Sequence, residues 1–182
     1  MDEVDVILDQ WRRERPDLET SAAGTIGRFG RVALLLEQSI DAVFKRHGLR
    51  RGEFDVLAAL RRSGPPYVLI PSALAETLML SRAGMTNRLD RLESAGLVER
   101  ALDPRDRRSF KVALTGEGIR VVDAAVAEHV ANETRLLAGL TPEERETLDG
   151  LLRTLLRTLG AKEPKEPKEP KEPKEPNEPK RG

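Results

Sequence analysis

Cysteine is absent from this chain of 182 residues, and only two histidines, His47 and His129, are present. The absence of cysteine excludes disulfide bonds, thiol chemistry and thiolate metal sites. The two histidines lie far apart in the sequence, and metals such as zinc prefer histidine and cysteine ligands. We therefore expect neither a metal site nor a cofactor.

A net charge is also absent, because 31 basic residues balance 31 acidic ones. An overall positive excess, which would attract nucleic acid, is missing, so any such attraction has to come from a local patch. Long apolar runs are missing too, and the acidic start MDEVDVILDQW does not resemble a secretory signal. The sequence predicts a cytoplasmic protein with no membrane association.

Helical spacing of apolar residues dominates what is present. Val4, Ile7, Leu8 and Trp11 form one stripe, which predicts a helix over 2–14 that Pro16 ends. The same spacing predicts helices over 20–47, 51–62, 115–137 and 142–159. Thr20 or Ser21 could cap the second of these helices. Thr141, Pro142 and Glu144 form a capping-box signal before the last one.

The central third of the chain predicts a helix-turn-helix. A short strand over 67–70 precedes a helix over 71–78, a turn at Met79 and Leu80, and a helix over 81–93 that Ser81 could cap. At about 100° per residue, Met85, Leu89 and Leu92 share one side of that last helix, and Asn87 lies opposite.

Polar residues on the outer side of the helix over 81–93 suit DNA recognition, since asparagine can read adenine and arginine can read guanine or hold phosphate. An ordinary solvated helix face is the alternative. The candidate DNA-binding residues here are Ser81, Arg82, Thr86, Asn87 and Arg91.

A basic hairpin follows. Residues 97–102 and 109–114 alternate apolar and polar side chains, which predicts two strands joined by Asp103-Pro-Arg-Asp-Arg-Arg108. Arg105, Arg107 and Arg108 could reach the minor groove and the phosphate backbone next to the groove that the helix over 81–93 would occupy. An exposed charged hairpin without a partner is the alternative.

Apolar residues on the flanking helices exceed what the small central lobe can cover, which favours a twofold dimer over a monomeric helical lobe. The tail is built from KEP repeats, cannot bury a core and is expected to be disordered. The predicted organisation is an added helix (1–20), a helical dimerisation lobe (21–50 and 115–160), a winged helix-turn-helix (51–114) and the tail (161–182).

In this order of elements, and in its hairpin motif DPRDRR, the chain resembles the MarR family of bacterial regulators over about residues 22–160. The resemblance implies a mainly α fold with a small β-hairpin wing, which is a winged helix-turn-helix joined to a helical dimerisation lobe. It also implies a homodimer that binds a double-stranded DNA operator and is not an enzyme.

A narrower resemblance concerns the urate-responsive branch of that family. It implies that Trp11 and Arg88 contact a small anionic ligand, that Asp55 is repelled by the ligand, and that Arg100 relays the change. Arg88 lies near the border of the apolar side of its helix, so it could pair with Asp55 when the site is empty. A structural Asp55–Arg88 pair without a ligand is the alternative.

These observations predict a ligand-responsive transcriptional regulator, more readily a repressor than an activator, that a small anion such as urate releases from its operator. A tricarboxylate or a phenolic acid is an alternative ligand, and a helical scaffold module is an alternative function. The sequence contains no constellation of nucleophile and base that would support a hydrolase or transferase.

Overall fold

The computed structural model describes residues 1–78, 81–103 and 106–160, with the backbone alone described for Arg82, Asp103 and residues 106–109. The expected turn at Met79 and Leu80, Arg105, and the predicted disordered tail lie outside the described residues. The described elements are α1 (Glu3–Glu14), α2 (Ser21–Arg46), α3 (Arg51–Arg62), β1 (Val68–Leu69), α4 (Pro71–Thr77), α5 (Arg82–Ser94), β2 (Val98–Asp103), β3 (Asp106–Leu114), α6 (Gly116–Leu136) and α7 (Pro142–Gly160).

The predicted fold class is confirmed, since the described residues are mainly helical and contain one small antiparallel sheet with strand order β1-β3-β2. The described part of the chain divides into two compact units, one of residues 1–138 and one that begins at Gly139. The first contains α1 to α6 and the sheet, and the second contains α7. In α7 no residue is buried, and Leu151, Leu155, Leu156 and Leu159 are exposed.

Local hydrogen bonds define the starts of α5 and α7, and a left-handed glycine follows the end of α2. The Ser81 hydroxyl accepts from the backbone N–H of Gly84 at 3.2 Å, as the sequence predicted. The Thr141–Glu144 capping box is also present, with distances of 2.8 and 3.2 Å. Gly48, just beyond the end of α2, adopts the left-handed conformation with a φ of 70°.

The expected cap of α2 was wrong in detail. Thr20 makes no side-chain hydrogen bond to the helix, and its ψ of 5° departs from the extended backbone of a typical N-cap. The carboxylate of Glu19 accepts from the backbone N–H of Ser21 instead, at 2.7 Å.

Helix α3 lies at the centre of the core. Val56, Leu57 and Leu60 have no exposed surface, and all residues from 56 to 60 are buried. Phe54, just before this run, stacks on Phe44 of α2 with ring centroids 4.0 Å apart. Helices α2, α4, α5 and α6 and strand β3 therefore pack around α3.

The predicted inner side of α5 is confirmed, because Met85, Leu89 and Leu92 are each 1% exposed. The hairpin strands extend further toward its tip than the alternation predicted. Backbone pairing places Arg100 opposite Val112 and Leu102 opposite Phe110, and the register shifts after Leu102. Strand β1 is shorter than predicted and pairs with β3.

The start of α6 is packed tightly against the entry to β2. A Cβ at Gly118 would lie 3.0 Å from the carbonyl carbon of Leu97 and closer still to its oxygen, a contact that only backbone movement can relieve. Gly116, two residues earlier, has no neighbour within 4 Å of its Cβ position. The absent side chain at 118 is therefore what lets α6 approach the sheet.

We predict that Gly118→Ala lowers the free energy of unfolding by about 1–3 kcal/mol, the usual cost of overpacking. Gly116→Ala is the matched control and should be neutral or slightly stabilising, since alanine is the better helix former. Urea unfolding followed by circular dichroism measures both variants. Equal stability of Gly118→Ala and wild type would contradict the tight packing.

Candidate nucleic-acid interface and anion site

Helix α5 has two charged flanks that separate its buried side from its outer face. At about 100° per residue, Arg88 and Arg91 lie on one flank, and Asp90 and Glu93 lie on the other. Asn87 lies between the flanks, opposite the buried side, and is exposed. The outer face of α5 is therefore held between two sets of charged side chains.

The arginine flank contacts the first turn of α3. A guanidinium nitrogen of Arg91 lies 2.8 Å from the Glu53 carboxylate, whose side chain is only 7% exposed. The Arg88 guanidinium packs against Gly52, because a Cβ placed there would lie 2.6 Å from Arg88 Nε. Arg91 remains 46% exposed, so it reaches both α3 and solvent.

Asp55 lies one turn further along α3 and is partly buried. Burial raises the pKa of Asp55 above its ordinary 3.8, and the charges of Arg88, Arg51, Arg62 and His129 offset part of that rise. Among the described side chains Asp55 forms no ion pair with Arg88, which corrects the direct pair that we expected. Instead, the Arg88 guanidinium packs against the backbone of α3 at Gly52.

Arg100 lies on the opposite flank of α5 from Arg88. Its guanidinium is 2.5 Å from Asp90 and 3.3 Å from Glu93, and it covers the Phe110 ring at 5.4 Å. Asp90 and Arg88 are about 160° apart around the helix axis. The protomer therefore does not bring Arg100 together with Arg88, and Arg100 instead ties α5 to β2.

Trp11 is 50% exposed and belongs to α1, which packs along the first half of α2. A Cβ at Gly24 would lie 2.8 Å from the Leu8 side chain, and one at Gly27 would lie 3.4 Å from Val4. The two helices therefore run antiparallel, and Trp11 lies beyond Leu8 toward the beginning of α2.

The first turn of α3 contacts α2 much further along. Arg51 Nε lies 2.9 Å from Asp41 Oδ1. Asp41 is 17 positions beyond Gly24, which is about 25 Å along the helix at 1.5 Å per residue. Within one protomer, Trp11 is thus separated from Arg88 and Asp55. Of the four residues expected at the ligand, only Arg88 and Asp55 lie in the same region.

The candidate DNA-facing residues lie at the start of α5, on α5 and in the hairpin. Ser81, just before α5, and Thr86 and Asn87 on α5 are exposed. Arg107 and Arg108 lie in β3, but their side chains and that of Arg82 are outside the described part of the chain. Ser81 also caps the helix, so its hydroxyl is engaged with the backbone of Gly84.

Two open cavities lie beside the first turn of α3. The larger, about 740 Å³, lies between α2 and α3 and carries both signs of charge. The smaller, about 320 Å³, lies between α3 and α5. The smaller cavity is lined by Arg50, Gly52, Glu53, Gly84, Asn87, Arg88 and Arg91. This lining would attract an anion more than a cation.

The sequence interpretation missed Gly52 and Glu53. Glu53 is the third residue of α3, where an acidic side chain commonly returns to cap its own helix, and its carboxylate does accept from the backbone N–H of Arg50 at 2.8 Å. That signal was available in the sequence. The contact with Arg91 was not, because it joins residues 38 positions apart on different helices.

Membrane-spanning helices and metal clusters are absent from the described ranges. No helix there is long and apolar enough to cross a bilayer. The same ranges contain no group of three or more His, Cys, Asp or Glu side chains that could hold a metal ion.

We predict that Asp55→Asn stabilises the protein at neutral pH. The raised pKa means that the folded state binds a proton more tightly than the unfolded state, so Asp55 costs stability above its folded pKa. That cost disappears as the pH falls below the ordinary value near 3.8. The melting temperature of Asp55→Asn should exceed that of wild type at pH 7, and the difference should shrink toward pH 4.

Asp9→Asn is the control for this substitution, because Asp9 pairs with Arg12 on the surface of α1 and such pairs contribute little. A melting temperature higher for wild type than for Asp55→Asn at pH 7 would contradict the assignment of burial as the dominant effect on the pKa of Asp55.

Known proteins resemble the chain in sequence and in fold. A model of the MarR family matches residues 47–109. The HTH-type transcriptional regulator PecS of Dickeya dadantii (strain 3937) is 44% identical over 150 residues, which cover 82% of this chain and 90% of that protein. The uncharacterized HTH-type transcriptional regulator YkoM of Bacillus subtilis (strain 168) is 33% identical over 109 residues, or 60% of this chain and 69% of that one.

Among solved structures, Sco3205 of Streptomyces coelicolor, a MarR family transcriptional regulator in complex with DNA, aligns with a TM-score of 0.69 and 26% identity over 78% of this chain and 89% of that one. A mutant of MarR from E. coli complexed with operator DNA aligns with a TM-score of 0.63 and 26% identity over 80% and 97%. The expectation of a regulator and not an enzyme is confirmed by the sequence relatives. The chain belongs to the MarR family of DNA-binding transcriptional regulators.

Proposed function

We propose that the chain acts as a homodimeric repressor whose two copies of α5 enter successive major grooves of a pseudo-palindromic operator. A small anion, with urate as the leading candidate, binds near Arg88 and weakens operator binding. Half-sites about one helical turn of DNA apart would match the twofold symmetry.

The observation that carries the proposal is the outer face of α5. Asn87 is exposed there, opposite a side made of buried Met85, Leu89 and Leu92. A rigidly packed helix with an exposed polar face, followed by a basic hairpin, suits major-groove reading with a wing on the neighbouring backbone. Two solved proteins of the same fold contain DNA in their structures. Ser81, Arg82, Thr86, Asn87 and Arg91, with Arg105, Arg107 and Arg108 of the wing, are the proposed DNA contacts.

Exposed apolar side chains support the dimer. On α2, Ile26, Phe29, Val32 and Leu35 are each more than half exposed. Single exposed apolar residues are common, but a run of this kind along one helix marks a surface that another molecule covers. We propose that residues 21–50 and 115–160 form the dimerisation lobe, and that a second copy is the partner.

Arg88 and Asp55 support the anion site. The Arg88 guanidinium is available to an anion, since its seat on Gly52 is a packing contact and not an ion pair. An anion there would add negative charge near Asp55, whose ionised form burial already disfavours. Repulsion of Asp55 would move α3 and, through it, α5. A tricarboxylate or a phenolic acid would act by the same charges.

In this proposal Trp11 can reach an anion site only in a second copy of the chain, because it lies far from Arg88 of its own copy. We propose that Trp11 of one copy closes the anion site of the other. Arg100 would transmit the change and not touch the anion, since its partners Asp90 and Glu93 lie on the opposite flank of α5.

We predict that Asn87→Ala lowers operator affinity by about tenfold, since one good base contact is worth about 1–3 kcal/mol. Ser94→Ala, at the far end of the same helix, is the control and should bind as wild type does. Fluorescence anisotropy with a labelled duplex measures both. If Asn87→Ala leaves affinity unchanged, α5 does not read bases through this residue.

We predict that urate raises the melting temperature of the wild-type protein and that Arg88→Ala abolishes the rise, because a ligand stabilises the state that it binds. Asp55→Asn should retain the rise but weaken the effect of urate on DNA binding, since the repelled charge is gone. Arg12→Ala, on the exposed surface of α1, is the control for loss of an arginine. If urate raised the melting temperature of Arg88→Ala as much as that of wild type, Arg88 would not belong to the anion site.

A further inference from the structure

The first turn of α3 contacts two different parts of the molecule through three consecutive residues. Arg51 reaches α2, where its guanidinium lies 2.9 Å from the Asp41 carboxylate and 3.0 Å from the backbone oxygen of Glu37. Gly52 and Glu53 face α5. One turn of helix thus bridges the proposed dimerisation lobe and the proposed recognition helix.

Gly52 provides space that the Arg88 guanidinium occupies. The Cβ of any other residue at 52 would lie 2.6 and 2.8 Å from Nε and Nη2 of Arg88, and closer still to Cζ. Glycine within a helix is less favourable than alanine, because it loses more conformational freedom on folding. The close approach of Arg88 is therefore a physical reason for glycine at this position.

Glu53 provides a buried negative charge that Arg91 neutralises. One carboxylate oxygen accepts from the backbone N–H of Arg50 at 2.8 Å, and the other lies 2.8 Å from Arg91 Nη2. A buried charge that loses its partner is strongly unfavourable. Glu53 therefore holds the Arg91 guanidinium at a defined place while almost half of that side chain stays exposed to solvent.

We infer that Gly52 and Glu53 are positioning residues for operator recognition, which set how α5 is seated on α3 through Arg88 and Arg91. The inference rests on the proposed DNA binding by α5. In a dimer, each recognition helix has to meet its half-site at a fixed separation and angle. The contact of Gly52 and Glu53 with α5 contributes to both. Because Arg51 joins the same turn to α2, the seat also fixes α5 relative to the proposed dimerisation lobe.

The consequence is a selective loss of discrimination between DNA sequences. Glu53→Gln keeps an oxygen that can cap Arg50 but removes the charge that holds Arg91. The protein surface near α5 then becomes more positive, so sequence-independent binding to phosphates should stay equal or increase. Base-specific contacts, which need the correct geometry, should weaken.

The experiment measures the ratio of the affinity for a specific DNA duplex to the affinity for a scrambled duplex. The specific probe is the duplex that wild-type dimer enriches from a random library of about 30 base pairs, which spans two half-sites. The other probe is a scrambled duplex of the same length and composition. We expect Gly52→Ala and Glu53→Gln each to lower the ratio by about tenfold, with sequence-independent affinity undiminished.

Gly116→Ala is the matched control, because it places the same methyl group in the first turn of α6 with no neighbour within 4 Å. Gly52→Ala is expected to fold, since the displaced group is the movable end of an arginine side chain. Unchanged ratios in both variants would overturn the inference. A wild-type protein without preference for its enriched duplex would instead overturn the proposed function.

A second measurement separates positioning from general structural support. If Glu53 acts through Arg91, the double variant Glu53→Gln with Arg91→Gln should show the same ratio as Arg91→Gln alone. Losses that multiply in the double variant would show that Glu53 acts independently of Arg91, against the inference.

Discussion

The burial of α3 is the constraint on which the rest of the first unit depends. Its residues from 56 to 60 have almost no contact with solvent, so the helix has no free side at that point. Neighbouring helices and the sheet can only take places around it. A displacement of α3 therefore also shifts the elements packed against it, since close-packed interiors transmit displacement. This is the physical basis for expecting an event near Asp55 to be felt at α5.

Charge and apolar packing have different effects on α5. Met85, Leu89 and Leu92 attach the helix to the core through apolar contacts, which have no preferred direction. The two flanks oppose such rotation, with Arg91 held by Glu53 on one side and Arg100 held by Asp90 on the other. The pair with Arg100 also places a cation over the Phe110 ring. Ion pairs close to the outer face of α5 thus add directional contacts to those of its apolar side.

Local features of the fold were predictable from the sequence, and long-range contacts were not. The caps at Ser81 and Thr141 involve residues three positions apart, so spacing alone revealed them. The buried side of α5 followed from helical periodicity. In contrast, the seat of Arg88 on Gly52 depends on how two helices cross, which periodicity does not specify. The expected Asp55–Arg88 pair failed for that reason.

The candidate site shows the same division. The resemblance to the urate-responsive branch singled out Trp11, Asp55, Arg88 and Arg100, but it did not show where each of them lies in the fold. Val4 and Leu8 of α1 pack against two glycines of α2 in an antiparallel arrangement, which carries Trp11 away from α3. Arg100 pairs with Asp90 and Glu93, which lie on the opposite flank of α5 from Arg88.

The direction of α1 has a consequence for how such a regulator would respond to its own abundance. A site that takes Trp11 from one chain and Arg88 from another exists only in the paired state. The anion would then bind pairs and not single chains, and by mass action it would draw single chains into pairs. Sensitivity to the anion would therefore rise with the concentration of the protein until pairing is complete.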